Sequence, residues 1–439
     1  MEQNLNEQLL DFIAESPSVY HVIDNFAGML EAAGYTRLRE RERWTLVPGG
    51  KYYVTRAGSS MIAFRVPKTE SWTGFRLSAA HGDSPTFKLK AEPELAGNGY
   101  LRLNTEKYGG MLMATWFDRP LSVAGRVLVK EDGKLVSRLV DLDRDLLVIP
   151  SVAIHMNRNA NDGTKLLANV DTVPLLGGAA DAGRLKTMVA EAAGTAPERI
   201  AAEDLYLCCR EKGTVLGAEG EYLLSPKLDD LECAWGCMRG FLDGERADST
   251  AVPVCCIFNN EEVGSETKQG AGSSFLRDTL RRICLGCGKD EADFMALLAG
   301  SFLVSADNAH AVHPNHPEKT DAANCCWLNH GIVVKENAAQ KYTTDAFSRA
   351  VFTELCRKAE VPVQLFANRS DSAGGSTLGN LSNTQVSLHA VDIGLPQLAM
   401  HSAYETAGSR DTQYAVEALR AYYGTLIRID ESESAAFEG

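Results

Sequence analysis

Val252-Pro-Val-Cys-Cys-Ile-Phe-Asn-Asn-Glu-Glu-Val-Gly-Ser265 is the stretch on which the reading of this 439-residue chain turns. An apolar run rich in β-branched residues predicts a buried strand. It ends in Asn259, Asn260, Glu261 and Glu262 just before Gly264. Open α/β sheets bind ligands outside the carboxyl ends of their strands. Neighbouring strand residues face opposite sides, so Glu261 and Glu262 are expected to diverge. One could then hold a metal while the other stands beside it as a proton acceptor. A solvated strand end would also carry Glu-Glu, and the other strand ends decide between the two.

Phe75–Ala80 is a second buried run, and it delivers His81 with Asp83 two residues further on. Residues two apart share a side, so the imidazole can ligate while the carboxylate orients the ring. Leu224-Ser-Pro-Lys-Leu-Asp-Asp-Leu231 precedes an apolar helix through Met238. Asp229 sits where that helix could begin, and a carboxylate held so rigidly can bridge two cations; acidic residues are also ordinary in a first turn. The strand Ser301–Ala306 leads to Asp307, followed by His310, His313 and His316. Turns carry polar residues in any case, so only one or two of these four residues are expected to ligate. Gln397-Leu-Ala-Met then presents His401. Nitrogen and oxygen donors without thiolates suit Zn²⁺, Mn²⁺ or Co²⁺. A bridging carboxylate beside a free Glu suits two-metal hydrolysis.

Around these points the chain alternates helices and strands. Apolar residues at helical spacing predict helices over 5–15 and 19–33. Short strands follow over 51–55 and 60–66. Residues 88–222 break the alternation: Gly-rich strands (100–103, 121–129, 134–139) and a polar stretch around 157–164 read as a β-rich insertion. His155 lies there, in a place that spacing alone does not fix. The alternation resumes with helices over 274–285, 344–358 and 411–426 and strands over 331–334, 362–366 and 390–393. The acidic tail 431–439 is expected to fray. The fold class is therefore α/β, with a catalytic domain in two parts, 1–87 and 223–439, interrupted by residues 88–222.

The length favours two domains. A net charge of −14 argues against a nucleic-acid or anionic-membrane surface. No run of about 18 apolar residues and no charged-then-apolar leader is present, which points to the cytoplasm. Eleven cysteines, several in apolar runs, read as small buried side chains in a reducing compartment. Cys284-Leu-Gly-Cys287 has redox or zinc spacing but no second pair.

Five pieces, in this order, resemble the aspartyl aminopeptidase family of di-zinc metallopeptidases over essentially the whole length. They are Ala80-His-Gly-Asp-Ser-Pro85, Ser225-Pro-Lys-Leu-Asp-Asp-Leu231, Asn260-Glu-Glu-Val-Gly-Ser265, Ser305-Ala-Asp-Asn-Ala-His-Ala-Val-His-Pro-Asn315 and Gln397-Leu-Ala-Met-His-Ser402. The resemblance implies a three-layer α/β/α catalytic domain with an inserted β-rich dimerisation domain, two Zn²⁺ per subunit and peptide substrates with acidic N-termini. It implies that His81 and Asp307 complete one zinc, Glu262 and His401 the other, that Asp229 bridges them and that Glu261 is the general base. It further implies that Asp83 orients His81, that His155 enters a neighbouring subunit's site and that Lys335 lines the substrate pocket. The assembly it implies is a homo-oligomer, a tetrahedral dodecamer built from dimers. Gly82 stands where Thr is usual, Asn259-Asn260 where Asp-Asn is, and residues 379–392 lack a Gly-Pro step; these departures bear on substrate preference. The competing readings are a di-zinc aminopeptidase or deacylase with neutral preference, and a silent assembly or cargo protein.

Overall fold

The computed structural model describes residues 4–372, 374–430 and 434–438. The run around Val252 is a fully buried strand, Ala251–Phe258, whose side chains alternate. Cys255 and Ile257 enter one apolar layer, while Val252, Val254, Cys256 and Phe258 enter another. A strand buried on both faces needs cover on both, which is why it reads as unbroken apolar sequence. One layer contains Leu5–Ala14, Val19–Ala32, Leu228–Asp243, Ala346–Lys358 and Asp411–Gly424. The other contains Phe275–Gly286, Glu291–Ala299 and Leu378–Asn383. The result is a three-layer α/β/α domain around a nine-stranded sheet.

At the sheet's centre Ala251–Phe258, Gly74–His81, Phe302–Ala306 and His389–Gly394 lie side by side and parallel. Parallel strands open their carboxyl ends on one edge. The residues after Phe258, Ala306 and the end of Gly74–His81 therefore emerge together, and the register sets Phe258 directly beside His81.

Residues 86–209 build a separate antiparallel sheet of six strands. Its order is Lys134–Asp141, Leu121–Glu131, Ile200–Cys209, Thr86–Gly97, Tyr100–Tyr108 and Leu175–Gly178. It has its own core, in which Phe87, Leu103, Trp116, Val123, Val127 and Leu205 pack with Leu185 and Val189 of the helix Arg184–Ala192. That helix was not legible in the sequence, and neither was Glu291–Ala299. The acidic tail departs from expectation: Ser434–Glu438 pairs antiparallel with Leu426–Asp430. Ala435 and Phe437 pack on the core, so strand alternation places their apolar side inward and the segment does not fray. Residues 431–433 and 439 lie outside the described residues. Asp411–Gly424 stops two residues short of the expected helix end because Leu426 already belongs to that hairpin.

Candidate metal centre

The open edge gathers the side chains that the sequence singles out. His81 ends its strand buried, its ring turned so that Nδ1 lies 2.9 Å from the main-chain oxygen of Asp83. That contact fixes the ring and leaves Nε2 facing the cluster. It comes from the carbonyl of Asp83, and the Asp83 carboxylate expected to orient the ring has its Oδ1 3.6 Å from the same Nδ1. That carboxylate also accepts the main-chain N–H groups of Glu261 and Glu262, each at 3.2 Å, and the Tyr108 hydroxyl at 2.7 Å.

Glu261 and Glu262 do not diverge as strand residues would. Asn260 takes a left-handed conformation (φ +61°) and Glu261–Val263 is one turn of 3₁₀ helix, so both carboxylates reach the cluster. The expectation failed because the strand ends at Phe258 and its period of two no longer applies.

Asp229 occupies the middle. Its Oδ1 lies 3.6 Å from His81 Nε2, and its Oδ2 lies 3.1 Å from His401 Nε2. Burial opposes its charge, but the imidazoles of His401 and His81 outweigh that and hold the carboxyl below its usual range. Glu262 Oε2 is 3.4 Å from His401 Nε2, and Asp307 Oδ1 is 4.0 Å from His81 Nε2. Among the described residues, three overlapping sets of donors could each hold a cation: His81, Asp229, Asp230 and Asp307; His81, Glu261 and Glu262; and Asp229, Glu262 and His401. His310, His313 and His316 belong to none of these sets. His313 and His316 are exposed, and of the four residues singled out on this segment Asp307 belongs to one of these sets.

Zinc fits these donors on two grounds. Buried oxygens of Asp229 (Oδ1), Asp230 (Oδ1) and Glu262 (Oε1) have no hydrogen-bond partner among the described residues, and such atoms are costly unless a cation or water completes them. Burial and mutual repulsion also push the Glu261 carboxyl up to about 8 and those of Glu262 and Asp230 well above their ordinary values. A positive ion among them relieves both penalties. Imidazole and carboxylate donors suit zinc.

Several neighbours were not foreseen. Glu405, fully buried, accepts the N–H of His401 through one oxygen (2.6 Å) and the N–H of Asp229 through the other (3.0 Å), tying the bridging candidate to the imidazole. Asp230 accepts the His81 N–H at 3.0 Å. The carbonyl of Gly110, from the inserted sheet's side, accepts from His401 Nδ1. Only Asp230 had a signal, its place beside Asp229; the others meet the site from distant sequence.

Two of the expected site residues belong to none of these donor sets. Lys335 is buried, and its Nζ donates to the carbonyl of Asp307 at 2.7 Å, stands 3.8 Å from Asp307 Oδ2 and faces the Tyr342 ring at 5.2 Å. Burial alone would lower its pKa, but Asp307 beside it carries it above the ordinary value. It is therefore not solvated, although it lies near the end of its strand. His155 is exposed on the loop after Ile149, and among the described residues it belongs to none of the donor sets. The Cys284 and Cys287 thiols are unpaired, and burial pushes them up to about 12 and about 11, so neither is an activated thiolate at neutral pH.

An α/β/α sheet whose carboxyl edge gathers imidazoles and carboxylates around a central Asp defines a metal-dependent hydrolase. The chain belongs to the family described as aminopeptidase I zinc metalloprotease (M18), whose model matches residues 12–423. It is a metallo-aminopeptidase. It is 44% identical over 424 residues to a "Probable M18 family aminopeptidase 2" of Clostridium novyi (strain NT), covering 95% of this chain and 98% of that protein. A protein of the same name from Pseudomonas aeruginosa (strain UCBPP-PA14) is 42% identical over 433 residues, covering 97% and 99%. Among solved structures, the chain resembles one from the Ape4 and Nbr1 complex (TM-score 0.93, 36% identity, 96% of this chain and 85% of that one). It also resembles the S. cerevisiae mApe1 dodecamer (TM-score 0.84, 28% identity, 95% and 96%).

Proposed function

We propose that this chain is a cytoplasmic aminopeptidase using two zinc ions and removing acidic N-terminal residues, with Glu261 as general base. The observation that carries the reading is Asp229, whose two oxygens face two different imidazoles, with Glu261 near His81 but outside both sets that contain Asp229. His81, Asp229 and Asp307 would hold one ion, and Asp229, Glu262 and His401 the other. Bound there, zinc supplies Lewis acidity toward the scissile carbonyl and makes water a better nucleophile. Glu261 takes the proton from the attacking water and returns it to the leaving amine. Glu405 and the Gly110 carbonyl hold His401 and Asp229 in place during this transfer. Among the described residues no helix is long and apolar enough to cross a membrane, which agrees with a cytoplasmic site of action.

Acidic preference would rest on Lys335, a cation held where the effective dielectric is low. Its inward contacts favour a second reading, in which it pins Asp307. Initial rates on a panel of aminoacyl reporter substrates test the function: Asp and Glu substrates should lead, and a lead by Leu or Ala would overturn acidic specificity. In the same panel Lys335→Met separates the two readings. Loss of a charge-assisted hydrogen bond, worth about 1.5–3 kcal/mol, should cut kcat/KM for acidic substrates by roughly ten- to a hundred-fold and spare neutral ones. An equal loss on every substrate assigns Lys335 to Asp307.

We also propose that residues 88–222 form an assembly domain, that the working form is a tetrahedral dodecamer built from dimers, and that His155 completes a partner's site. The solved mApe1 relative is a dodecamer. On the loop that carries His155, Val152, Ile154, Met156, Leu167 and Val170 are exposed, apolar surface of the kind that is buried against another copy. His155→Ala should lower activity while the assembly persists in sedimentation. Unchanged kinetics in that variant, or a fully active monomer, would remove the proposal.

A further inference from the structure

Tyr108 makes a partly buried contact that the reading above leaves unexplained. It ends the strand Tyr100–Tyr108 of the inserted sheet, yet its hydroxyl sits between two strand ends of the catalytic sheet. It donates to Asp83 Oδ2 at 2.7 Å and accepts from Asn260 Nδ2 at 2.8 Å. Asp83 spends its two oxygens on the N–H groups of Glu261 and Glu262, and Asn260 is the left-handed residue that starts their turn. The other end of the Asn260 amide is also occupied, its Oδ1 accepting from Thr267 Oγ1 at 2.9 Å and Gln269 Nε2 at 2.8 Å. The Tyr108 ring is held edge-on against Tyr206 of the same sheet, centroids 5.7 Å apart. The next residue, Gly109, has φ +81° and passes so close to Glu262 that a Cβ there would lie 3.1 Å from the Glu262 Cβ.

We propose that Tyr108 is a positioning residue for the base, through which the inserted sheet fixes the Glu261–Glu262 turn. The inference rests on Glu261 acting as the base. Without the hydroxyl, Asp83 loses a donor and Asn260 an acceptor, and the turn can shift while the metal donors keep their other contacts. A base displaced by a fraction of an ångström transfers protons poorly even when substrate still binds. The inserted sheet then has a part in the chemistry of its own subunit, separate from any part in assembly.

The test is Tyr108→Phe, which removes one oxygen and keeps the ring. Residues that orient a metal site from outside typically cost 10–100-fold on removal, so a kcat loss in about that range is expected. KM should stay within about twofold, with zinc content and sedimentation unchanged, a split that general loosening of the fold would not give. Tyr108→Phe combined with Glu261→Gln should lose no more than Glu261→Gln alone, because both act on one proton transfer. Wild-type kcat in Tyr108→Phe, a loss that tracks zinc or assembly, or additive losses in the double variant would each overturn the proposal. If Tyr108→Phe does not fold, Asn260→Gly removes the hydrogen bond to Tyr108, along with those from Thr267 and Gln269, and keeps the left-handed turn; unchanged kcat there is equally fatal. An active Glu261→Gln enzyme, by contrast, refutes the base assignment itself.

Discussion

Glu261→Gln is expected to keep the fold and the bound zinc and to lose most of its turnover. The amide fills the space of the carboxylate, and the main-chain N–H that anchors the residue to Asp83 is untouched. What disappears is the capacity to accept a proton. General-base removal typically costs about 10²–10⁴-fold, and the loss should appear in kcat. Metal analysis and kinetics on one preparation check it: near-normal turnover with zinc bound would take Glu261 out of the mechanism. Glu262 is the natural control. It lies beside His401 and is expected to hold metal, so Glu262→Gln should lower zinc content.

Asp229→Asn is expected to fail differently, by losing metal first and activity as a consequence. Asp229 lies between the imidazoles of His81 and His401, so replacing its carboxylate with an amide removes the charge that either half of the site would share. Outer-shell partners of metal sites cost about 10–100-fold in affinity, and a bridging ligand should cost more. Thermal stability should fall too, since an ion bound only by the folded state stabilises it. Full zinc occupancy in Asp229→Asn would refute the bridging role.

Much of this was legible in the sequence because a parallel sheet ties function to strand ends. His81, Asp307 and the Glu261–Glu262 pair each follow an apolar run, and each run became a buried strand with its carboxyl end on the open edge. What stayed hidden comes from contacts that no local pattern encodes. Gly110 meets His401 across 291 positions, and Tyr108 meets Asn260 across 152. Glu405 gave no sign of burial, since a carboxylate at the start of a short strand is usually solvated. The Glu261–Glu262 alternation failed for a local reason, the left-handed turn at Asn260. The tail failed for a tertiary one, the packing of Phe437 on the core.

The most direct test of the central claim is zinc stoichiometry and aminopeptidase rate measured on one sample of the wild-type protein through removal and return of the metal. The account predicts two zinc ions per chain, loss of activity as they are chelated, and recovery when zinc is restored. Full activity in protein stripped of metal, or a fully active enzyme holding one ion per chain, would contradict it.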